Sequence, residues 1–172
     1  MSILEIGMQG NFGDSTAKIV GKVVLSDEDG VVLNQWFLKS DGEEEEFFWI
    51  REYEDENETC YEILSVIEAE EGDTELDIAS EIFADWRNFK YFAMRNGLKI
   101  ESISGEVTQG PKEGEALKIA DISFTDENDE EELDLEEDEV LVDTSIMWTE
   151  DETWVYGIEY LEESKIKAIF KL

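Results

Sequence analysis

Alternation of apolar and polar positions is the clearest order in the N-terminal part of the chain, and it is the period of a half-buried strand. "TAKIVGKVVLS" (Thr16 to Ser26) is rich in β-branched residues, "DEDG" (Asp27 to Gly30) has turn chemistry, and "VVLNQWFLKS" (Val31 to Ser40) resumes the strand pattern. A second turn, "SDGE", leads into "EEFFWIREYE", where Phe47, Trp49 and Tyr53 share one face and Phe48 and Ile50 the other. Both faces begin apolar, so this strand is expected to be covered on both sides. The acids around it read as the solvated side and ends of a hairpin, with "REYEDENETCYE" (Arg51 to Glu62) as a turn leading into the neighbouring strand.

"ETCYEILSVIEAEE" (Glu58 to Glu71) reads as a further strand. Beyond it the pattern changes: Leu76, Ala79, Phe83, Trp86, Phe89 and Ala93 fall at helical spacing, and Thr74 with Asp77 resembles a capping box. Against a long helix, Asn96-Gly97 is a strong short-range hairpin signal, with Leu98 and Ile100 alternating after it. A helix here would stop before Phe89. "GEVTQGPKEGEA" (Gly105 to Ala116) holds the chain's one proline and reads as a loop. "LKIADISF" (Leu117 to Phe124) is a short strand, and the acidic tract after it reads as a loop from which a strand emerges at Leu133 and Leu135. The C-terminal stretch from Val140 is expected to form two or three strands. In the last of them Ile166, Ala168, Phe170 and Leu172 alternate with Lys165, Lys167, Ile169 and Lys171.

Composition narrows the function more than the fold. A hydrophobic fraction of 41% with nine Phe, five Trp and five Tyr is globular despite the acidity, so a folded core is expected. The formal charge of −34, from 47 acidic and 13 basic residues, disfavours direct contact with nucleic acid or anionic lipid, because few cations could displace phosphate counterions. Basic proteins, polyamines and divalent cations are the electrostatically suitable partners. A single cysteine, Cys60, excludes an internal disulfide and a cysteine-based structural zinc site within one chain. "MSILEIGMQG" lacks the charged start and apolar core of a signal peptide, and no run reaches the roughly 18 apolar residues of a membrane span. The expectation is a cytoplasmic protein without membrane insertion.

The chain has no histidine, which removes histidine triads, histidine-ligated metals and the usual general base near neutral pH. It has no glycine-rich phosphate loop and no nucleophile elbow either. The expectation is therefore a non-enzyme without a cofactor. In the acidic tract, Asp126, Asn128, Glu130 and Glu137 occupy the first, third, fifth and twelfth positions of a calcium-loop pattern, but Glu131 stands where the sixth position needs glycine. These four are the candidate metal ligands, set against a plain solvated charge run. Trp36, Phe37, Phe47, Phe48 and Trp49 read as core, with a ligand groove as the alternative. Trp148, Trp154 and Tyr156, with Asp129, Glu131 and Glu132, are the candidate partner-binding residues, on the condition that the aromatics are exposed.

The segments "VGK" (Val20 to Lys22), "WFL" (Trp36 to Leu38), Asp41-Gly42 and Trp49-Ile50 resemble the opening of the bacterial domain of unknown function family 4178. "SGEV" (Ser104 to Val107), "IADIS" (Ile119 to Ser123) and "VYGIEYLEES" (Val155 to Ser164) are similar to its later strands. The resemblance implies a mostly β fold of two related lobes, favours strands over 83–104, and implies an accessory role near bacterial membrane-stress or polyamine systems. The fold expectation is thus mainly β: two related small antiparallel lobes, or a β-sandwich or open barrel, with at most one short helix near 74–88. Residues 1–105 would form the first lobe with its hairpins, 106–116 a loop, and 117–172 a second lobe packed on the first as one compact unit. The functional expectation is a non-enzymatic acidic binding or scaffold protein for a partner with a basic surface. The alternative is an acidic decoy that imitates DNA phosphates, as a phage or mobile element would use to block a DNA-binding protein.

Overall fold

The computed structural model describes residues 2–42, 46–67, 74–84, 91–123 and 143–172. Among the described residues there are nine strands: β1 (Gln9–Phe12), β2 (Ser15–Ser26), β3 (Val32–Ser40), β4 (Phe47–Asp55), β5 (Glu58–Val66), β6 (Tyr91–Gly105), β7 (Ala116–Ser123), β8 (Thr144–Trp148) and β9 (Thr153–Leu161). Two short helices accompany them among the described residues, α1 (Glu75–Ala84) and α2 (Glu163–Phe170). All pairings are antiparallel, in the order β1-β2-β3-β4-β5-β9-β8-β7-β6, and β2 also pairs with β6. The sheet therefore closes into an eight-stranded barrel, with β1 as an extra strand on the edge of β2. Segment 106–116 connects β6 to β7, two neighbouring strands of this one barrel.

Closure depends on a bulge and two glycines. The β2–β3 register shifts between Ile19 and Gly21, so Ala17 and Ile19 pack outside the barrel while Val23 and Leu25 pack inside it. Gly21 lies opposite Gly105. A Cβ on Gly21 would sit 2.6 Å from the Glu106 carbonyl oxygen, and one on Gly105, whose φ is +73°, would collide with the Val20 carbonyl. The Glu106 amide donates to that same Val20 oxygen at 2.8 Å.

An eight-stranded barrel is just wide enough for side chains to fill it, or to hold one small ligand. Here Leu33, Phe37, Trp49, Leu64, Ile119, Met147, Trp154 and Tyr156 fill much of it. Phe37 stacks on Phe47 at 5.2 Å and tilts against Trp49 at 4.7 Å, so these aromatics are core. Two layers cover the outside. The N-terminal segment and α2 bury Trp36, Leu38, Ile50 and Tyr61 beneath Leu4, Ile166 and Phe170, while α1 covers Ile122, Ile146 and Val155. This is why β4 begins apolar on both faces.

The capping box forms as read: the Thr74 amide and hydroxyl donate to Asp77 Oδ2 at 2.9 Å, and the Asp77 amide donates to Thr74 Oγ1 at 3.2 Å. Three expectations are corrected. Asn96-Gly97 is no hairpin; β6 runs through it with a register shift between Arg95 and Leu98, Gly97 supplying the positive φ of +68° that a bulge and a hairpin turn both require. The expected C-terminal strand is helix α2, and a second helix exceeds the one anticipated. Ile166, Ile169 and Phe170 face the barrel at i, i+3, i+4 while Leu172 stays 56% exposed. Finally, only the tip of 51–62 turns; Arg51 and Glu62 are buried strand residues. No helix among the described residues is long and apolar enough to cross a membrane.

Candidate functional site

Strand parity places charge inside the barrel. Arg51 follows Trp49 and precedes Tyr53 on the inward face of β4, and its guanidinium is fully buried. Nε donates to Gln35 Oε1 at 3.1 Å, Nη1 to Glu62 Oε2 and Asp121 Oδ1 at 3.2 Å each, and Nη2 to Ser145 Oγ at 3.0 Å. Five strands are thereby tied to one side chain. Burial opposes the charge on Arg51, but Asp121 and Glu62 more than offset it and raise its pKa. Glu62 also accepts from the Tyr53 hydroxyl at 2.9 Å. Its own pKa is raised, because burial and the Asp121 charge outweigh the pull of Arg51. With every guanidinium nitrogen engaged and Arg51 fully buried, this cluster holds the interior together.

A cleft of about 410 Å³ opens over the barrel mouth near the end of β5. Its walls are Val66, Glu75 from the first turn of α1, Glu152 from the β8–β9 hairpin, and Thr108 to Gly110 with Lys112 from the 106–116 loop. Trp154 and Tyr156 line it from β9. Burial, followed by the neighbouring Glu152 charge, raises the pKa of Glu75. Tyr156 is 1% exposed, and burial raises its pKa against the pull of the facing Trp49 indole N–H, with Glu75 adding to the rise and Arg51 opposing it. The hydroxyl and the buried Nε1–H of Trp49 face each other and have no other partner.

A larger groove of about 620 Å³ lies outside the barrel between β1, α2 and the outer face of β4, β5 and β9, lined by Phe12, Phe48, Ile63 and Ile169. Neither Trp154 nor Tyr156 lines it. The mouth cleft is the better candidate site.

The aromatics expected on a partner surface are covered. Trp154 and Tyr156 are buried in the barrel, and Trp148 is half-buried beneath α1 with its ring 5.9 Å from that of Phe83. The structure instead brings Trp154 and Tyr156 to the floor of the cleft. Asp126, Asn128, Asp129, Glu130, Glu131, Glu132 and Glu137 lie outside the described residues. Among the described residues, no group of three His, Cys, Asp or Glu side chains could hold a metal ion. Glu75, Glu152 and the Arg51 cluster escaped the sequence reading, although Arg51 shares the parity of Trp49 and Tyr53. Comparison of the chain with protein-family models, curated proteins and solved structures finds no match in any of the three.

Proposed function

We propose that the chain is a non-enzymatic acidic binding protein that engages a protein partner through a basic surface on that partner. The observation that supports this is the placement of charge. Two ion pairs between described residues are internal and both use Arg51, so neither draws on the acids of the turns. Exposed acids crowd the turns, at Glu28 and Asp29, at Glu54 to Glu56 with Glu58, and at Glu150 to Glu152. Such a surface lowers its own repulsion when a cationic surface docks, and it speeds encounter at low salt. The turns lie at both ends of the barrel, whereas a decoy of duplex DNA requires acids in rows with phosphate-like spacing.

The test is recovery of the tagged chain from its native cells at low ionic strength, followed by a salt gradient. A basic protein retained at low salt and released as salt rises is the expected result, and recovery of the chain alone would sink the proposal. Adding duplex DNA to the retained complex separates the alternative, because a decoy's partner would be displaced by the duplex it normally binds.

A further inference from the structure

Asn96-Gly97 carries turn chemistry but turns nothing. The pair forms the bulge of β6: the β7 ladder passes from Arg95 opposite Ile119 to Leu98 opposite Leu117, and neither Asn96 nor Gly97 has a register partner in it. On the other edge, the β2 ladder ends with Ser26 opposite Lys99, before it reaches them. Both residues are exposed, and Gly97 holds a φ of +68°. The peptide that joins them thus lies within a strand but outside the register of both neighbouring ladders.

An asparagine followed by glycine carries its own nucleophile. The peptide nitrogen of the next residue attacks the side-chain amide carbon, and glycine has no side chain to crowd that approach. Asn96 is the only asparagine of the chain with glycine after it. Asn11, Asn34 and Asn57 precede Phe12, Gln35 and Glu58, and Asn34 is held further by donating to Glu52 Oε1 at 3.2 Å.

We propose that Asn96 is a site of spontaneous covalent modification in the folded protein, deamidating through a cyclic imide with Gly97 and using water as the only co-reactant. The Gly97 nitrogen forms a bond to Asn96 Cγ, the Cγ–Nδ2 bond breaks, and ammonia leaves with the proton of the Gly97 amide. Water then opens the ring at either carbonyl. Opening at Cγ leaves aspartate, and opening at the backbone carbonyl leaves isoaspartate, with the main chain rerouted through Cβ and Cγ. Either product is a new carboxylate beside Gly97, over which the Glu28 side chain lies with its Oε1 3.1 Å from where a Cβ would stand. Glu28 belongs to the turn that follows β2, so the added charge repels that turn from β6 at the Ser26–Lys99 end of the seam.

The test keeps the full chain folded at neutral pH and physiological temperature and samples it over weeks. Peptide mapping by mass spectrometry reads the amide lost at each asparagine, and an isoaspartyl methyltransferase with labelled S-adenosylmethionine reads isoaspartate. Asn96 should convert ahead of Asn11, Asn34 and Asn57, with isoaspartate exceeding aspartate. Its rate should lie within about tenfold of that in the urea-unfolded chain, because only the bulge has to flex. Asn96→Gln should abolish the early label while the melting temperature holds. Conversion of Asn96 no faster than that of Asn11 or Asn57, or an early label that survives in Asn96→Gln, would overturn the proposal. Hydrogen exchange reads the consequence: amides around Ser26 and Lys99 should exchange faster in the converted chain than in the fresh one. Unchanged exchange there would overturn the effect on the seam.

Discussion

Arg51 Nη1 meets Asp121 Oδ1 at 3.2 Å across the interior of the barrel, joining β4 to β7, which are not neighbours in the sheet. Hydrogen bonds along the strands do not make this connection; one side chain does. A buried cation with two carboxylate partners is costly to break by halves, because whichever group remains is left charged in a dry place. Arg51→Met is expected to destabilise the protein by about 3–5 kcal/mol in urea unfolding. Arg51→Met combined with Glu62→Gln and Asp121→Asn should be less destabilised than Arg51→Met alone, the carboxylates no longer being stranded. A triple variant at least as unstable as the single one would show that the cluster does not act as a unit.

Glu62 gives that cluster a pH dependence of defined sign. Its folded pKa is raised above the ordinary 4.5, first by burial and then by Asp121, with Arg51 pulling the other way. The folded state therefore holds the Glu62 proton more tightly than the unfolded chain does. The stability this contributes is full below the unfolded value and is lost as pH rises through the folded one. Urea midpoints of the protein and of Glu62→Gln, compared from pH 4.5 upward, cancel the titration common to both. The variant should gain on the parent as pH rises, whereas a difference constant with pH would contradict the raised pKa.

The closure of the barrel predicts an order among glycine substitutions. Gly13→Ala meets nothing within 4 Å and carries only the strain of its φ of +66°, on the order of 1 kcal/mol. Gly21→Ala and Gly105→Ala drive a methyl group into backbone carbonyls where β2 and β6 join, and neither carbonyl belongs to a flexible side chain. Both should lower the melting temperature more than Gly13→Ala does. Equal effects at the three sites would mean that the Gly21–Gly105 seam can widen freely.

Much of this fold can be read from alternation, because β2, β3 and β4 carry it cleanly and the Thr74–Asp77 capping box marks the start of α1. The misreadings have physical causes. Ile166, Ile169 and Phe170 satisfy a helical stripe, but Ala168 and Leu172 complete an equally good strand pattern in so short a segment. Gly97 offers the positive φ that a hairpin turn and a bulge share, so local chemistry does not choose between them. Arg51, Glu62 and Asp121 escape a sequence reading because charged residues usually face solvent, and only the pairing of distant strands brings the three together inside. The cleft is harder still, since Glu75, Gly110, Glu152 and Tyr156 come from four separate segments.

The α2 register is tested by truncating single side chains. A strand over 166–172 would bury Ile166, Ala168, Phe170 and Leu172 together, whereas the helix buries Phe170 at 7% exposure and leaves Leu172 at 56%. Phe170→Ala should therefore cost about 3–5 kcal/mol, while Leu172→Ala should stay within about 0.5 kcal/mol of the parent. Comparable losses at the two positions would favour the strand.

The lone thiol reports the acidity of the β4–β5 hairpin. Cys60 is half-buried on β5, and its pKa is raised above the ordinary 9.0 by burial first and then by Asp55, Glu58 and Glu62. The thiolate is the reactive form, so alkylation by iodoacetamide should be slow near neutral pH, with a rate midpoint above that of a free thiol. Asp55 and Glu58 stand at the exposed end of the hairpin, where salt screens their charges. Raising the ionic strength should therefore move the midpoint down, and Asp55→Asn/Glu58→Gln should do the same at low salt. Burial alone would leave a midpoint that is high but indifferent to both changes, and that outcome would remove the carboxylates from the explanation.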